Sequence, residues 1–250
     1  MGTRIQKMSF AVFVAGCIWS GAGFAKSYTV AWDVHSLAAS PGIQVELRDR
    51  KGRMYKRVKS RQMRYLYAVE TSMERVSETP AKLEIVPGRK PNAFAGEDLH
   101  HEPVVAINFA MLDMIGLDMH AAAALIGHEL AHLRLNHGDE RKSRNSSNQT
   151  MRILSGALLG GMGLSSAQSI SDLSFTAMER KYDRKEESQA DYLGAIWAVE
   201  AGYEVSGAVR LQEKLAKRSG NTSLAFLSTH PTGPERIARL KSLERRLSTK

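Results

Sequence analysis

One apolar helix constrains this chain most, because a cluster of ionisable residues lies inside it. Ala121–Ile126 is good helical material, and His128-Glu129-Leu130-Ala131-His132 follows it. Positions i and i+4 of a helix share one face, so both imidazoles can reach a single Zn²⁺, and Glu129 can reach the attacking water without being a ligand. The alternative is a helix with two surface histidines, but unpaired polar groups among apolar residues are costly to bury. We therefore predict His128 and His132 as metal ligands and Glu129 as the general base.

Local signals mark both ends of this helix. Asp118 is predicted to be its N-cap, and Gly138 its C-terminal stop. His137 follows His132 by five residues and therefore points off the ligand face. We interpret His137 as a cation at the helix C-terminus and not as a ligand.

The metal site needs a third ligand, since catalytic zinc usually has three protein ligands and an open position. The single cysteine, Cys17, excludes a thiolate cluster and an intramolecular disulfide. Glu187 and Asp191 share a helix face, so Glu187 can bind the metal while Asp191 accepts the second N–H of a ligand histidine. The alternative is an exposed acidic pair, which the incomplete zinc motif disfavours.

The first residues of the chain have the pattern of an export signal. Residues 1–25 contain a basic start, the uncharged run Met8–Trp19 and a small-residue site that ends at Ala25. The roughly 12 apolar residues are too few for the ~20 of a membrane span. The alternative is a lipoprotein signal, residues 1–16, followed by a lipidated Cys17. Both interpretations place the mature chain in the periplasm, either soluble or lipid-anchored to the outer membrane.

Composition and charge limit the class of protein and the kinds of partner that this chain can have. With 43% hydrophobic and 24% charged residues, the chain has ordinary globular composition, which excludes a disordered chain, a collagen and a multi-span membrane protein. Residues 48–64 hold nine lysines and arginines and one acid, and 153–171 form an uncharged glycine-rich run. Either segment can contact a membrane surface, although a solvated face for the first and a buried helix for the second stay open. Export argues against nucleic acid.

The remaining elements follow from hydrophobic periodicity. Residues 26–60 are predicted to be β-rich, with alternation over Gly42–Leu47 and a turn at Lys51-Gly52. The other predicted elements are two strands and four helices: Leu83–Val86, Val104–Ile107, Gln62–Val76 with Tyr67 on its apolar face, Glu186–Ala201, Val205–Leu215 and Pro234–Leu247.

Several motifs together resemble one family. They are Leu125-Ile126-Gly127-His128-Glu129-Leu130-Ala131-His132, Glu187-x-x-Ala190-Asp191, Thr229-His230-Pro231, Glu235-Arg236-Ile237 and Pro91-Asn92-Ala93-Phe94-Ala95. Their order is similar to that of the HtpX-like and CAAX-prenyl-protease-type zinc peptidases, metallopeptidase family forty-eight. The resemblance spans roughly residues 61–247, and it is greater to the exported bacterial members, which are linked to quality control of envelope proteins.

The resemblance implies a set of functional residues and a fold. It assigns one Zn²⁺ per chain, held by His128, His132 and Glu187. It makes Glu129 the general base and Asp191 the hydrogen-bond partner of a ligand histidine. It also implies that His230 and Arg236 are catalytic groups that face the substrate. The implied fold is α+β and mainly helical, of the gluzincin type, with an active-site helix and a small β-sheet. Its edge strand is expected near Val104–Asn108, where a peptide can add by β-augmentation.

The predicted organisation is a leader (1–25), a basic β-rich segment (26–60) and a zinc metallopeptidase domain (61–250). The predicted function is a zinc-dependent endopeptidase acting on misfolded or misassembled envelope proteins. Two alternatives stay open: a non-catalytic zinc-containing envelope chaperone or assembly factor, and a zinc amide hydrolase acting on cell-wall peptide. For His230, a donor to the oxyanion and a latch on the open zinc position both stay open.

Overall fold

The computed structural model describes residues 10–12, 30–49, 51–98, 102–137, 182–219, 226, 230 and 233–247. Its strands are β1 (Phe10–Val12), β2 (Trp32–Asp33), β3 (Gln44–Arg48), β4 (Met54–Lys59), β5 (Lys82–Val86), β6 (Ala93–Glu97) and β7 (Pro103–Asn108). Its helices are α1 (Val34–Ala39), α2 (Ser60–Ser77), α3 (Phe109–Ile115), α4 (Met119–Arg134), α5 (Arg184–Glu200), α6 (Ser206–Ser219) and α7 (Pro234–Leu247).

The larger sheet has the strand order β2-β5-β7-β6. β5 and β7 run parallel, whereas β2 and β6 pair antiparallel to their neighbours. The prediction of an edge strand near Val104–Asn108 is wrong, because β7 lies inside the sheet and β6 is the edge. The reason is visible in the sequence: Val104–Ile107 is a continuous apolar run, and such a run is typical of a strand buried on both faces.

The smaller sheet has the order β1-β3-β4. The alternation predicted over Gly42–Leu47 corresponds to β3, which pairs antiparallel with β4. Between them the chain turns at Gly52, whose φ of 78° is in the left-handed region that glycine adopts without strain. Both Val45 and Leu47 of β3 belong to the same hydrophobic core as the α4 residues.

Helix α2 packs its apolar face on this core through Met63, Leu66, Val69 and Met73. The prediction that Tyr67 shares this face is wrong: its side chain is 37% exposed and stacks on His35. The buried positions recur at intervals of three and four, and Tyr67 lies one position beyond Leu66, about 100° further around the helix.

Helices α4 and α5 cross with their backbones in direct contact at two glycines. A Cβ added to Gly194 would lie 2.7 Å from the carbonyl carbon of Gly127, and one added to Gly127 would lie 2.9 Å from the Gly194 carbonyl oxygen. Asp118 caps α4 as predicted, and Asp183 and Glu186 form a capping box on α5. This crossing brings the predicted ligands of the two helices to the same place.

Several predicted features lie outside the described residues. They are residues 1–25 apart from β1, Cys17, Gly138 and the segment 153–171. Among the helices that the structure describes, none combines the length and the apolar character needed to cross a membrane.

Candidate metal centre

The two histidines of α4 meet at a single point. Their Nε2 atoms lie 3.1 Å apart, and both side chains are almost completely buried. This is the geometry expected of i and i+4 residues on one helix face. Burial holds the pKa of His132 well below its ordinary value, so its ring is neutral and has a lone pair for a metal.

Glu187 of α5 completes a set of three converging side chains. Its Oε1 lies 3.4 Å from Nε2 of His132, and its Oε2 lies 3.6 Å from Nε2 of His128. Burial alone would raise the pKa of Glu187, but the rings of His230 and His128 beside it, together with hydrogen bonds from His132 and His230, lower it far below its usual range. The carboxylate is therefore ionised, as a metal ligand must be.

His230 is a fourth side chain at the same point. Its Nδ1 lies 2.9 Å from Oε1 of Glu187 and 3.2 Å from Nε2 of His128. One donor atom from each of His128, His132, Glu187 and His230 lies within 4.8 Å of the others, and all four residues are buried. Tetrahedral zinc at ~2.0–2.1 Å from each ligand would separate them by roughly 3.3 Å, so nitrogen and oxygen donors at these distances fit one Zn²⁺.

Asp191 and Arg236 lie directly behind these ligands. Oδ1 of Asp191 lies 3.2 Å from Nδ1 of His128, which is the arrangement predicted for an acceptor of the second N–H of a ligand histidine. Arg236 donates to both oxygens of Asp191, at 2.5 and 2.7 Å, and also contacts Oε2 of Glu187. Burial alone would raise the pKa of Asp191, but Arg236 and the hydrogen bond from His128 lower it. Arg236 thus orients two carboxylates of the site, and the substrate-facing role assigned to it by the resemblance stays a prediction.

Glu129 lies next to this cluster without touching its donor atoms. Its carboxylate is fully buried, and neither oxygen has a hydrogen-bond partner within the described part of the chain. Nε2 of His230 lies 3.6 Å from Oε1 of Glu129. Burial raises the pKa of Glu129, which brings it closer to the value that suits a general base at neutral pH.

The prediction that His137 points off the ligand face is wrong. Its side chain is 4% exposed, and its Nδ1 lies 2.9 Å from Nδ1 of His132. The helix does not continue to this residue: Asn136 has a left-handed φ of 52°, which turns the chain back toward the site. Asparagine tolerates that conformation, and its position before Gly138 was the signal that could have revealed the turn.

Two aromatic residues at the site were missed by the sequence reasoning. The ring of Tyr182 stacks on His132 with centroids 3.7 Å apart and also contacts His230 at 4.6 Å. Phe226 stacks on the ring of His230 at 4.4 Å. Neither residue belongs to a motif with a chemical role, so the sequence offered no signal for them.

Comparison with known proteins agrees with this geometry. The model of Peptidase family M48 matches residues 57–244. The chain is 29% identical to the mitochondrial metalloendopeptidase OMA1 of Arabidopsis thaliana, over 46% of this chain and 22% of that protein. It is 31% identical to the OMA1 of Schizosaccharomyces pombe, over 48% of this chain and 35% of that protein. It is 25% identical to the metalloprotease YcaL of Escherichia coli, over 55% of this chain and 53% of that protein.

The matched segments therefore span about half or less of the length of these curated relatives. The family match confirms the resemblance inferred from the motifs. Together with the buried cluster, it confirms the predicted gluzincin-type, mainly helical fold and the single zinc ion as cofactor.

Proposed function

The chain belongs to Peptidase family M48, and on that premise we propose that the whole protein is a zinc-dependent endopeptidase. One observation carries the proposal: within the described residues, the buried carboxylate of Glu129 accepts no hydrogen bond and lies beside the cluster of His128, His132, Glu187 and His230. A buried carboxylate without hydrogen bonds is costly. A purely structural zinc site has no need of it, whereas peptide hydrolysis does.

Glu129 performs the proton transfers of this reaction. Zinc, when bound, supplies a Lewis acid that polarises the scissile carbonyl and lowers the pKa of water at the site. Glu129 accepts the proton of the attacking water and later delivers it to the leaving amine. Its burial, which raises its pKa, makes the protonated form accessible between these two steps. Asp191 and Arg236 hold the ligand set in place during both.

The substrate is an extended polypeptide that pairs with the outer edge of β6. The N–H of Asn108 donates to the carbonyl of Asn92, and the N–H of Asp98 donates to the carbonyl of Glu102. Even-numbered residues of β6 therefore pair with β7, and odd-numbered ones present their backbone groups to the other side. The outer edge is thus lined by the N–H and C=O groups of Ala93 and Ala95. Because β6 also packs against α4, a strand added here would run beside the metal centre.

His230 acts as a latch on the metal centre in this arrangement. Its Nδ1 is one of the four converging donor atoms, so it occupies the position that a substrate carbonyl or a water molecule needs. The residue is held by its neighbours: the N–H of His230 donates to the carbonyl of Phe226, and the N–H of Phe226 donates to the carbonyl of Pro91. Pro91 is odd-numbered and lies two residues before β6, so its carbonyl belongs to the same outer edge as Ala93 and Ala95. The contact that holds the latch therefore uses a backbone acceptor on the edge where substrate would pair. Substrate binding would then compete directly with the latch.

The protein acts outside the cytoplasm, on misfolded or misassembled envelope proteins, as a periplasmic or outer-membrane-anchored enzyme. The leader-like pattern of residues 1–25 supports this location. Intact-mass measurement of the mature protein tests it, with Lys26 or a lipidated Cys17 expected as the first residue. A mature chain that retains residues 1–16 would contradict both.

Membrane contact through 48–64 has weaker support than export. Four basic residues of this segment are paired with acids in the structure: Arg48 and Arg57 with Glu46, Arg53 with Asp49, and Lys56 with Asp113. Fewer positive charges are therefore available to an anionic surface. The second candidate segment, 153–171, lies outside the described residues.

Cleavage of an unfolded protein such as casein tests the activity. The purified protein should cleave casein at internal bonds, lose this activity with a chelator and regain it with Zn²⁺. A chaperone would bind casein without cleaving it, and a cell-wall amide hydrolase would release products only from peptidoglycan. For the natural substrate, Glu129→Gln expressed in the envelope should retain uncleaved proteins that the wild type does not.

A further inference from the structure

His137 has no role in the chemistry above, yet its ring is buried against a metal ligand. Its Nδ1 lies 2.9 Å from Nδ1 of His132. The ring centroids are 5.0 Å apart and the ring planes are inclined by 68°. Rings at this inclination do not stack face to face, and the distance between the two nitrogen atoms is that of a hydrogen bond.

The backbone after α4 is built to bring this ring back. The N–H of Leu135 donates to the carbonyl of Ala131, and the N–H of Asn136 donates to that of Leu133. Asn136 then takes its left-handed conformation, with a φ of 52°. A residue in this conformation ends a helix and reverses the chain direction, so His137 returns toward the helix face that it would otherwise have left.

We propose that His137 is a positioning residue for the zinc ligand His132, whose Nδ1–H it accepts through its own Nδ1. The direction of this hydrogen bond follows from the other nitrogen. Nε2 of His132 faces Nε2 of His128 at 3.1 Å and Oε1 of Glu187 at 3.4 Å, so it carries the lone pair that binds the metal, and the proton lies on Nδ1. The hydrogen bond fixes the tautomer and the ring orientation together.

The two α4 ligands are therefore supported by acceptors of different strength. His128 has the carboxylate of Asp191 at 3.2 Å, whereas His132 has an imidazole. A charged acceptor makes the stronger hydrogen bond, so His137 contributes orientation more than basicity. This inference rests on the zinc site of the proposed function.

A pair of variants separates the acceptor from the shape of the side chain. His137→Phe keeps a ring of similar size without an acceptor, and His137→Asn keeps an acceptor oxygen close to the position of Nδ1. We expect His137→Phe to lose about 10–100-fold in zinc affinity, the range typical of residues that hydrogen-bond to a metal ligand, and to shift the visible absorption bands of the Co²⁺-substituted protein. His137→Asn should restore both toward the wild type.

Unchanged zinc affinity and an unchanged Co²⁺ spectrum in His137→Phe would overturn the inference, and so would equal losses in both variants. A measurement on the wild type avoids any folding defect: NMR of the zinc-loaded, ¹⁵N-labelled protein should show a coupling across the hydrogen bond between the Nδ1 atoms of His132 and His137. Its absence would also overturn the inference. Failure of the wild type to cleave any polypeptide would defeat the proposed function but would leave these metal-binding results intact.

Discussion

One half of the metal centre lies on α4 and α5, and the other half is His230, whose N–H donates to the carbonyl of Phe226. The helical half is held by backbone packing, since the glycine crossing leaves no room for a single methyl group. The His230 half is held by ring contacts from Tyr182 and Phe226 and by the backbone hydrogen bond from Phe226 to Pro91. Close-packed backbones resist displacement, whereas displacing the ring of His230 would not require the two helices to separate.

This difference assigns different tasks to the two halves. His128, His132 and Glu187 must keep their geometry through the reaction, and they lie on the part of the site that cannot shift. In the latch role proposed above, His230 would leave the metal before substrate approaches it, and it lies on the half without backbone packing. The helical half would then carry the chemistry, and His230 would control access to it.

The largest effect is expected in the helical half, from Glu129→Gln. The ligands stay in place, so the variant should bind one equivalent of zinc, while peptide hydrolysis falls by roughly 10²–10⁴-fold because proton transfer is lost. Zinc content and kcat/KM of one preparation check both statements. The matched variant Glu187→Ala should lose zinc as well as activity. If Glu129→Gln had wild-type activity, Glu129 would not be the general base.

The helical half is also the part that the sequence made predictable. The positions of His128, Glu129 and His132 follow from a fixed helical period, and Glu187 and Asp191 follow from the same rule on a second helix. Such periodic patterns need only the local chain to be helical. The positions of His230 and Arg236 carry no such pattern and came from family resemblance.

The predictions from sequence were wrong where a change in chain direction or the order of the strands determined the position of a residue. His137 was placed by extending α4, but the left-handed turn at Asn136 ended it. The edge of the sheet was placed at Val104–Asn108, although strand order is set by long-range pairing that no local pattern records. Tyr182 and Phe226 reach the site only through tertiary packing.

The next largest effect is expected from His230→Ala. The direction of the change in activity distinguishes the latch role of His230 from the oxyanion-donor role. If His230 is a latch, removing the ring should raise the rate of casein cleavage and leave zinc bound by the other three ligands. If it donates to the oxyanion, kcat should fall about 10²–10³-fold. His35→Ala, which removes an exposed histidine stacked on Tyr67, is the control. Wild-type kcat/KM and zinc affinity in His230→Ala would contradict both roles.

A smaller effect is expected behind the helical half, from Asp191→Ala. His128 would lose the acceptor for its Nδ1–H, and Arg236 would keep only its contact with Glu187 among the two carboxylates that it orients. Zinc affinity should fall about 10–100-fold, as measured by competition with a chelator of known affinity. The control is Glu235→Ala, an exposed acid at the start of α7. Equal zinc affinity in the two variants would exclude Asp191 as a partner of His128.

The smallest effect tests the difference in rigidity between the two halves. One methyl group is added at the helix crossing, and one is added close to His230 in the sequence. In Gly194→Ala the new Cβ would lie 2.7 Å from the backbone of Gly127 and of His128. Neither backbone atom can rotate away, so α4 and α5 must separate. Overpacking of this kind costs about 1–3 kcal/mol of unfolding free energy.

The same separation also moves Glu187 relative to His128, so zinc affinity should fall in Gly194→Ala together with stability. Gly233→Ala is the matched change three residues after His230 in the sequence, where a Cβ meets no described atom within 4 Å. It should alter the unfolding free energy by less than about 0.5 kcal/mol and leave zinc affinity unchanged. Denaturant unfolding and chelator competition on both variants measure these quantities. Equal unfolding free energies and equal zinc affinities in the two variants would show that the glycine crossing does not hold α4 and α5 in place.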